Sequence, residues 1–205
     1  MATAGGERIG PRLIGPVRIA WASADEPGRA PETGRPRAAG RMLLTALLSD
    51  LGLRGERLTQ RCSHCGAVDH GALATGSGHA VVSVSYAGGL VVAAAALRAD
   101  AAAIGVDVER ESGSGRMVDL TALFAPLPPP TTAEWTAIEA VVKADGRGLR
   151  IPPGDVRVGE RPASTLPGAR LATLPDGRRF HVARVTGPNG HVVSVAIDPA
   201  PESPR

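Results

Sequence analysis

The sequence predicts an α/β protein of the α+β kind, built as two α/β halves, and three observations point there. Apolar residues make up 43% of the 205, enough to bury a sizeable core. Two apolar strand pairs, "HAVVSVSYAGGLVVAAAAL" and "RFHVARVTGPNGHVVSVAI", each turn back through a glycine-bearing bend. A stretch with apolar residues at helical spacing precedes each pair.

In chain order, residues 11–22 ("PRLIGPVRIAWA") read as a strand, and 23–36 as a loop of Pro, Gly and charge. A helix follows over 37–52, where Leu43, Leu44, Leu47, Leu48 and Leu51 recur at helical spacing and Arg37 and Arg41 share a face one turn apart. After a loop with two cysteines comes the first strand pair, bent at Ala87-Gly88-Gly89. The second half loosely repeats this order: a strand at 104–109, a helix at 133–145, and strands near 154–158, 179–186 and 191–197. Proline- and glycine-rich stretches at 126–130 and 159–177 read as loops. The halves run 1–100 and 101–198, with a flexible tail over 199–205. Their pseudo-symmetry rests on element order alone, since the halves show no clear self-similarity.

Aromatics are only 2%, so small aliphatics build the core around Trp21, Trp135, Phe124 and Phe180. A net charge of +3 is too mild to indicate nucleic acid as a partner, while anionic small molecules suit it. The first residues lack a basic segment followed by an apolar run, and no apolar stretch reaches spanning length; the expectation is a cytoplasmic monomer without a membrane partner. Of the 23 basic residues, Lys143 is the sole lysine. Either chance left one lysine among the arginines, or this position needs a compact ammonium rather than a planar guanidinium, which makes it a candidate site.

Cys62 and Cys65 in "RCSHCGAVDHG" lie close to His64 and His70. The spacing suits a zinc turn, yet no second cysteine pair supplies the remaining ligands, and a free, reduced turn is the reading these residues favour. A disulfide fits least in a reducing compartment.

In "AIGVDVER", strand alternation puts Asp107 and Glu109 on one face with Cα atoms about 6.5 to 7 Å apart, and Val106 and Val108 on the other. Two carboxylates so placed suit a hard cation such as Mg²⁺; the same alternation also describes the polar face of an edge strand. On the second helix, Trp135, Glu139 and Lys143 are four residues apart and form one stripe. That stripe reads alone as a core Trp beside a solvent-facing ion pair. Taken with the strand, it gives three carboxylates for a metal and an ammonium for phosphate.

These motifs, in the order "RPRAAGRMLLTALL", "CSHCGAVDHG", "SVSYAGGLVVAA", "GVDVE" and "WTAIEAVVKADGRGL", resemble the 4′-phosphopantetheinyl transferase superfamily in its two-subdomain, synthetase-activating form. The resemblance implies two pseudo-symmetric α/β subdomains with coenzyme A between them. It also implies a holo-[carrier-protein] synthase activity that moves phosphopantetheine from coenzyme A to a serine of an acyl or peptidyl carrier protein. By the same resemblance, Asp107, Glu109 and Glu139 hold Mg²⁺, Glu139 or a water it orients is the base, and Lys143 balances charge on the diphosphate. Arg37, Arg41, Ser85 and Tyr86 would then contact the coenzyme. The chain departs from the pattern at Tyr86 (histidine in the family), at Ala72 (a basic residue) and at Ile138 (lysine). The segment between "GVDVE" and Trp135, where members carry a longer carrier-docking element, is short and proline-rich. These departures leave a second expectation, a non-catalytic protein of this fold that binds coenzyme A or another nucleotide, with Arg147, Arg150 or Arg110 as replacement cations.

Overall fold

A computed structural model describes residues 9–23, 35–62, 64–111 and 120–199; most of the expected 23–36 loop and the tail from residue 200 onward lie outside them. Among the described residues, three helices and three sheets make a mixed α+β fold. The first half contributes β1 (Ile9–Ile14), β2 (Val17–Ser23), α1 (Arg35–Asp50), β3 (Leu58–Gln60), β4 (Leu73–Thr75), β5 (Ala80–Ala87) and β6 (Leu90–Leu97). The second contributes β7 (Ala101–Arg110), α2 (Thr121–Phe124), α3 (Thr132–Asp145), β8 (Arg157–Val158), β9 (Arg170–Thr173), β10 (Arg179–Val185) and β11 (His191–Pro199).

One sheet runs β1-β2-β6-β5 and the other β7-β11-β10-β9-β8, while β3 and β4 pair separately at the base of the cysteine loop. Every strand of the four-stranded sheet precedes residue 100, and every strand of the five-stranded sheet follows it. Alternation gives each sheet two apolar faces. One face of each, through residues such as Val17, Trp21, Val92, Val106, Val108, Val195 and Ile197, joins a common core. The opposite faces carry the helices. Leu44, Leu47 and Leu48 of α1 bury against Ala20, Val82 and Ala93, each leucine contributing about 1.5 to 3 kcal/mol. Val141, Ala140 and Ile138 of α3 bury against Ala172, Phe180, Val182 and Ala196.

Local signals fix the ends of α3. Thr131 accepts from the Glu134 amide while Glu134 accepts from the Thr131 amide, a closed capping box, and Gly146 ends the helix in the left-handed region. The helix lies tight on β7. A Cβ built on Gly105 would stand 1.9 Å from the Ala140 carbonyl oxygen, so only glycine permits this approach.

The structure differs from the expected elements in three places. The strand expected over 11–22 is the hairpin β1–β2, which turns at Gly15-Pro16. The stretch 159–177, expected as loop, contains β9, which pairs with β10 and β8. The strand near 154–158 is a short helical turn at Pro153–Asp155 followed by the two residues of β8. No helix among the described residues is long and apolar enough to cross a membrane.

Candidate functional site

The edges of the two sheets lie side by side at β5 and β7, joined by side chains. Ser83 Oγ accepts the Val106 amide at 3.0 Å, and Ser85 Oγ donates to Asp107 Oδ1 at 2.8 Å. Both partner numbers rise together, so the two strands run in the same direction. β7 is an edge strand of its own sheet, as one sequence reading had it, yet its acids are not solvated: β5 and α3 cover them, and Asp107 and Glu109 are 4% and 8% exposed.

Lys143 reaches this acidic strand from α3. Its Nζ lies 2.6 Å from Asp107 Oδ1, donates to Ser85 Oγ at 2.9 Å, and stands 3.8 Å from Glu139 Oε2 one turn back on the helix. A buried carboxylate is costly unless paired and hydrogen-bonded, and Lys143 with Ser85 meets that need for Oδ1. Asp107 Oδ2 is buried with no hydrogen-bond partner. The structure thus brings together Ser85, Asp107, Lys143 and Glu139, which the sequence holds up to 58 residues apart. It does not gather oxygens of Asp107, Glu109 and Glu139 within 4.8 Å of one another; the one such group of three among the described residues is Cys62, Cys65 and His70. Trp135, at the head of the stripe, is a core residue packed edge-on against Phe124.

Lys143 also lines a cleft of about 900 Å³ walled by α1, the cysteine loop, β5 and the turn after α3. Six basic side chains border it, Arg37, Arg41, Arg61, Lys143, Arg147 and Arg150, against one carboxylate, Asp69. Arg41 donates to the Leu58 carbonyl at 3.2 Å, which steadies it over β3. Arg147 is anchored by Asp145 at 2.6 Å and Asp176 at 2.7 Å. Tyr86 lines the cleft beside α1, its hydroxyl over Gly40; burial raises its pKa, and the charges of Arg37 and Arg41 partly offset the rise. Ser85, its neighbour on β5, points to the opposite face, toward Asp107. Ala72 lines the cleft and Ile138 is buried beneath α3. Of the three replacement cations expected from sequence, Arg147 and Arg150 border the cleft, whereas Arg110 donates to the Gly88 carbonyl at 3.0 Å.

The cysteine loop forms the far wall. Amides of Cys65 and His64 hydrogen-bond the Cys62 sulfur and bring that thiol down to about 7. Asp69 Oδ1 lies 2.8 Å from His70 Nδ1 and raises the imidazole pKa. The sequence signal for this arrangement was the CxxC spacing; the contribution of Asp69 carried no signal of its own. Compared with known proteins, the chain matches no protein-family model and no curated protein sequence.

Proposed function

We propose that the protein carries out Mg²⁺-dependent transfer of phosphopantetheine from coenzyme A to a serine of an acyl or peptidyl carrier protein. The observation that carries this reading is the cleft: six basic side chains face one carboxylate, and Lys143 links that space to the buried acids of β7. Coenzyme A brings a diphosphate and a 3′-phosphate, and a cation-rich cleft of this volume suits it. Arg37 and Arg41, one helical turn apart, meet the 3′-phosphate.

Asp107, Glu109 and Glu139 would supply only oxygen donors, as Mg²⁺ requires, with the partnerless buried Oδ2 of Asp107 among them; their oxygens stand too far apart for all three to share one ion as they are, so the carboxylates would draw together around it. When bound, the ion would neutralise diphosphate charge and make the phosphorus more electrophilic. The carrier serine Oγ attacks the phosphorus bearing pantetheine, and a new P–O bond forms as the bond to the bridging oxygen breaks. Adenosine 3′,5′-bisphosphate leaves with the electron pair. The serine proton passes to Glu139, directly or through a water. Lys143 balances the charge that builds on the leaving phosphate, and Ser85 holds Lys143 and Asp107 in register.

The test incubates an apo carrier domain with coenzyme A and Mg²⁺ and follows the carrier mass. The expected result is a phosphopantetheine mass gain that Glu139→Ala abolishes and Lys143→Arg largely removes, because the planar fork does not fit where the ammonium sits. A gain that is unchanged in Glu139→Ala overturns the assignment of the base. Absence of coenzyme A binding by calorimetry, with and without Mg²⁺, overturns the whole reading.

A second reading, a non-catalytic protein that binds coenzyme A or another nucleotide, is favoured by Tyr86 and Ile138. The first places a neutral hydroxyl in the cleft, and the second buries an aliphatic in the core. It predicts binding in the cleft with no mass change on any carrier.

A further inference from the structure

The loop between β3 and β4 holds chemistry that the proposed transfer does not use. Cys62, Cys65 and His70 each offer one ligand atom, and all three atoms lie within 4.8 Å of one another. The backbone of the turn is folded to orient the first cysteine. Gly66 N–H donates to the Cys62 carbonyl at 2.9 Å, and Cys62 N–H donates to the Ala67 carbonyl at 2.8 Å. Gly71 then brings His70 back over the turn: a Cβ at this position, with φ of 96°, would stand 2.7 Å from Cys62 Cα. Only glycine lets the two ends of the loop approach this closely.

His70 is oriented as a ligand. Asp69 takes up Nδ1 at 2.8 Å, and Nε2 faces Cys65 Sγ at 3.2 Å. A carboxylate on one imidazole nitrogen fixes the tautomer and leaves the other nitrogen's lone pair for a metal. In a tetrahedral zinc site an S···N edge is about 3.6 Å, from bond lengths of about 2.3 and 2.05 Å. The observed separation therefore needs to open by about 0.4 Å, a small adjustment because both side chains are exposed.

We propose that Cys62, Cys65 and His70 bind one Zn²⁺, with Asp69 orienting His70 and a water completing the tetrahedron from the cleft side. Two sulfurs and an imidazole are soft and borderline donors, which select zinc over Mg²⁺ or Ca²⁺. Cys62 and His70 both line the cationic cleft, so the ion is part of its wall and adds positive charge where an anionic ligand enters. The site shares no residue with Asp107, Glu139 or Lys143, and it stands or falls apart from the transfer reaction.

The test equilibrates the full chain, kept reduced, with one equivalent of Zn²⁺, desalts it and measures bound metal by mass spectrometry. Wild type is expected to keep one Zn²⁺ per chain, and Cys65→Ser and His70→Ala only traces. Both positions are exposed, so unchanged circular dichroism separates ligand loss from unfolding. Asp69→Asn is expected to keep the stoichiometry but release zinc to a chromogenic chelator about 10- to 100-fold more readily. Co²⁺ in place of zinc should give tetrahedral visible bands with thiolate charge transfer. Wild type that retains only trace zinc, or Cys65→Ser that retains a full equivalent, overturns the proposal.

Discussion

Lys143 Nζ lies 2.6 Å from Asp107 Oδ1, joining a helix to a strand 36 residues earlier in the chain. Asp107 is buried, while the Lys143 side chain is 31% exposed, so water screens part of the pair. Removal of the lysine leaves a buried carboxylate with one hydroxyl. We expect Lys143→Met to lower stability by about 3 kcal/mol, the low end for a broken buried pair. Urea denaturation measures it, and Lys143→Met with Asp107→Leu should recover part of the loss because no charge is then buried alone.

Gly105 sets how closely α3 approaches. Gly105→Ala drives a methyl into the Ala140 carbonyl and is expected to cost about 3 kcal/mol or more, as overpacking does. Gly159, whose Cβ direction is open and whose φ is ordinary, is the control: Gly159→Ala should be neutral or slightly stabilising. Equal losses at both positions would show that the helix does not rest on β7 as described.

The seam between the sheets gives a third expectation. Ser83→Ala removes the acceptor of the Val106 amide in a buried place, which costs about 1 to 3 kcal/mol. Hydrogen exchange at Val106 should quicken relative to Val195, whose strand lies one position inward in the sheet.

His181 makes stability depend on pH. Burial lowers its pKa, the opposing charge of Asp198 only partly offsets this, and Ser164 Oγ lies 2.8 Å from Nδ1. The fold therefore prefers the neutral imidazole. Its stabilisation is fully present above the unfolded pKa of about 6.5 and is lost as pH falls from there toward the lower folded value. The difference in melting temperature between wild type and His181→Gln should narrow on acidification through that window; a difference that widens would reverse the sign assigned here.

Much of the frame was legible because its signals are local. The leucine spacing of α1, the alternation of β7 and the paired glycines between β5 and β6 each lie within a few residues of sequence. What escaped was long-range. A strand reading Val-Asp-Val-Glu has the same pattern whether its acids face water or a covering helix, and only the placement of β5 and α3 buries Asp107 and Glu109. β9 was hidden because its four residues sit between prolines and glycines and owe their strand form to β10 on one side and β8 on the other. The candidate residues on α3 were visible as a stripe, but the Ser85 hydroxyl that joins Lys143 to Asp107 depends on two sheet edges meeting. Arg110, a candidate cation by sequence, is drawn to the Gly88 carbonyl, a choice that no one-dimensional pattern encodes.

The backbone ladders of the two large sheets never cross residue 100. A break in the connection at Arg98–Asp100 would leave two fragments, each with every main-chain partner of its own sheet. Neither would have its interior, because the common core takes residues from both. Nor would either hold the site: the cleft arginines of α1 and Ser85 belong to the first fragment, and Asp107, Glu139 and Lys143 to the second. Two pieces that each lack part of the cleft would therefore complete it on meeting, and complementation between them would report assembly of the cleft directly.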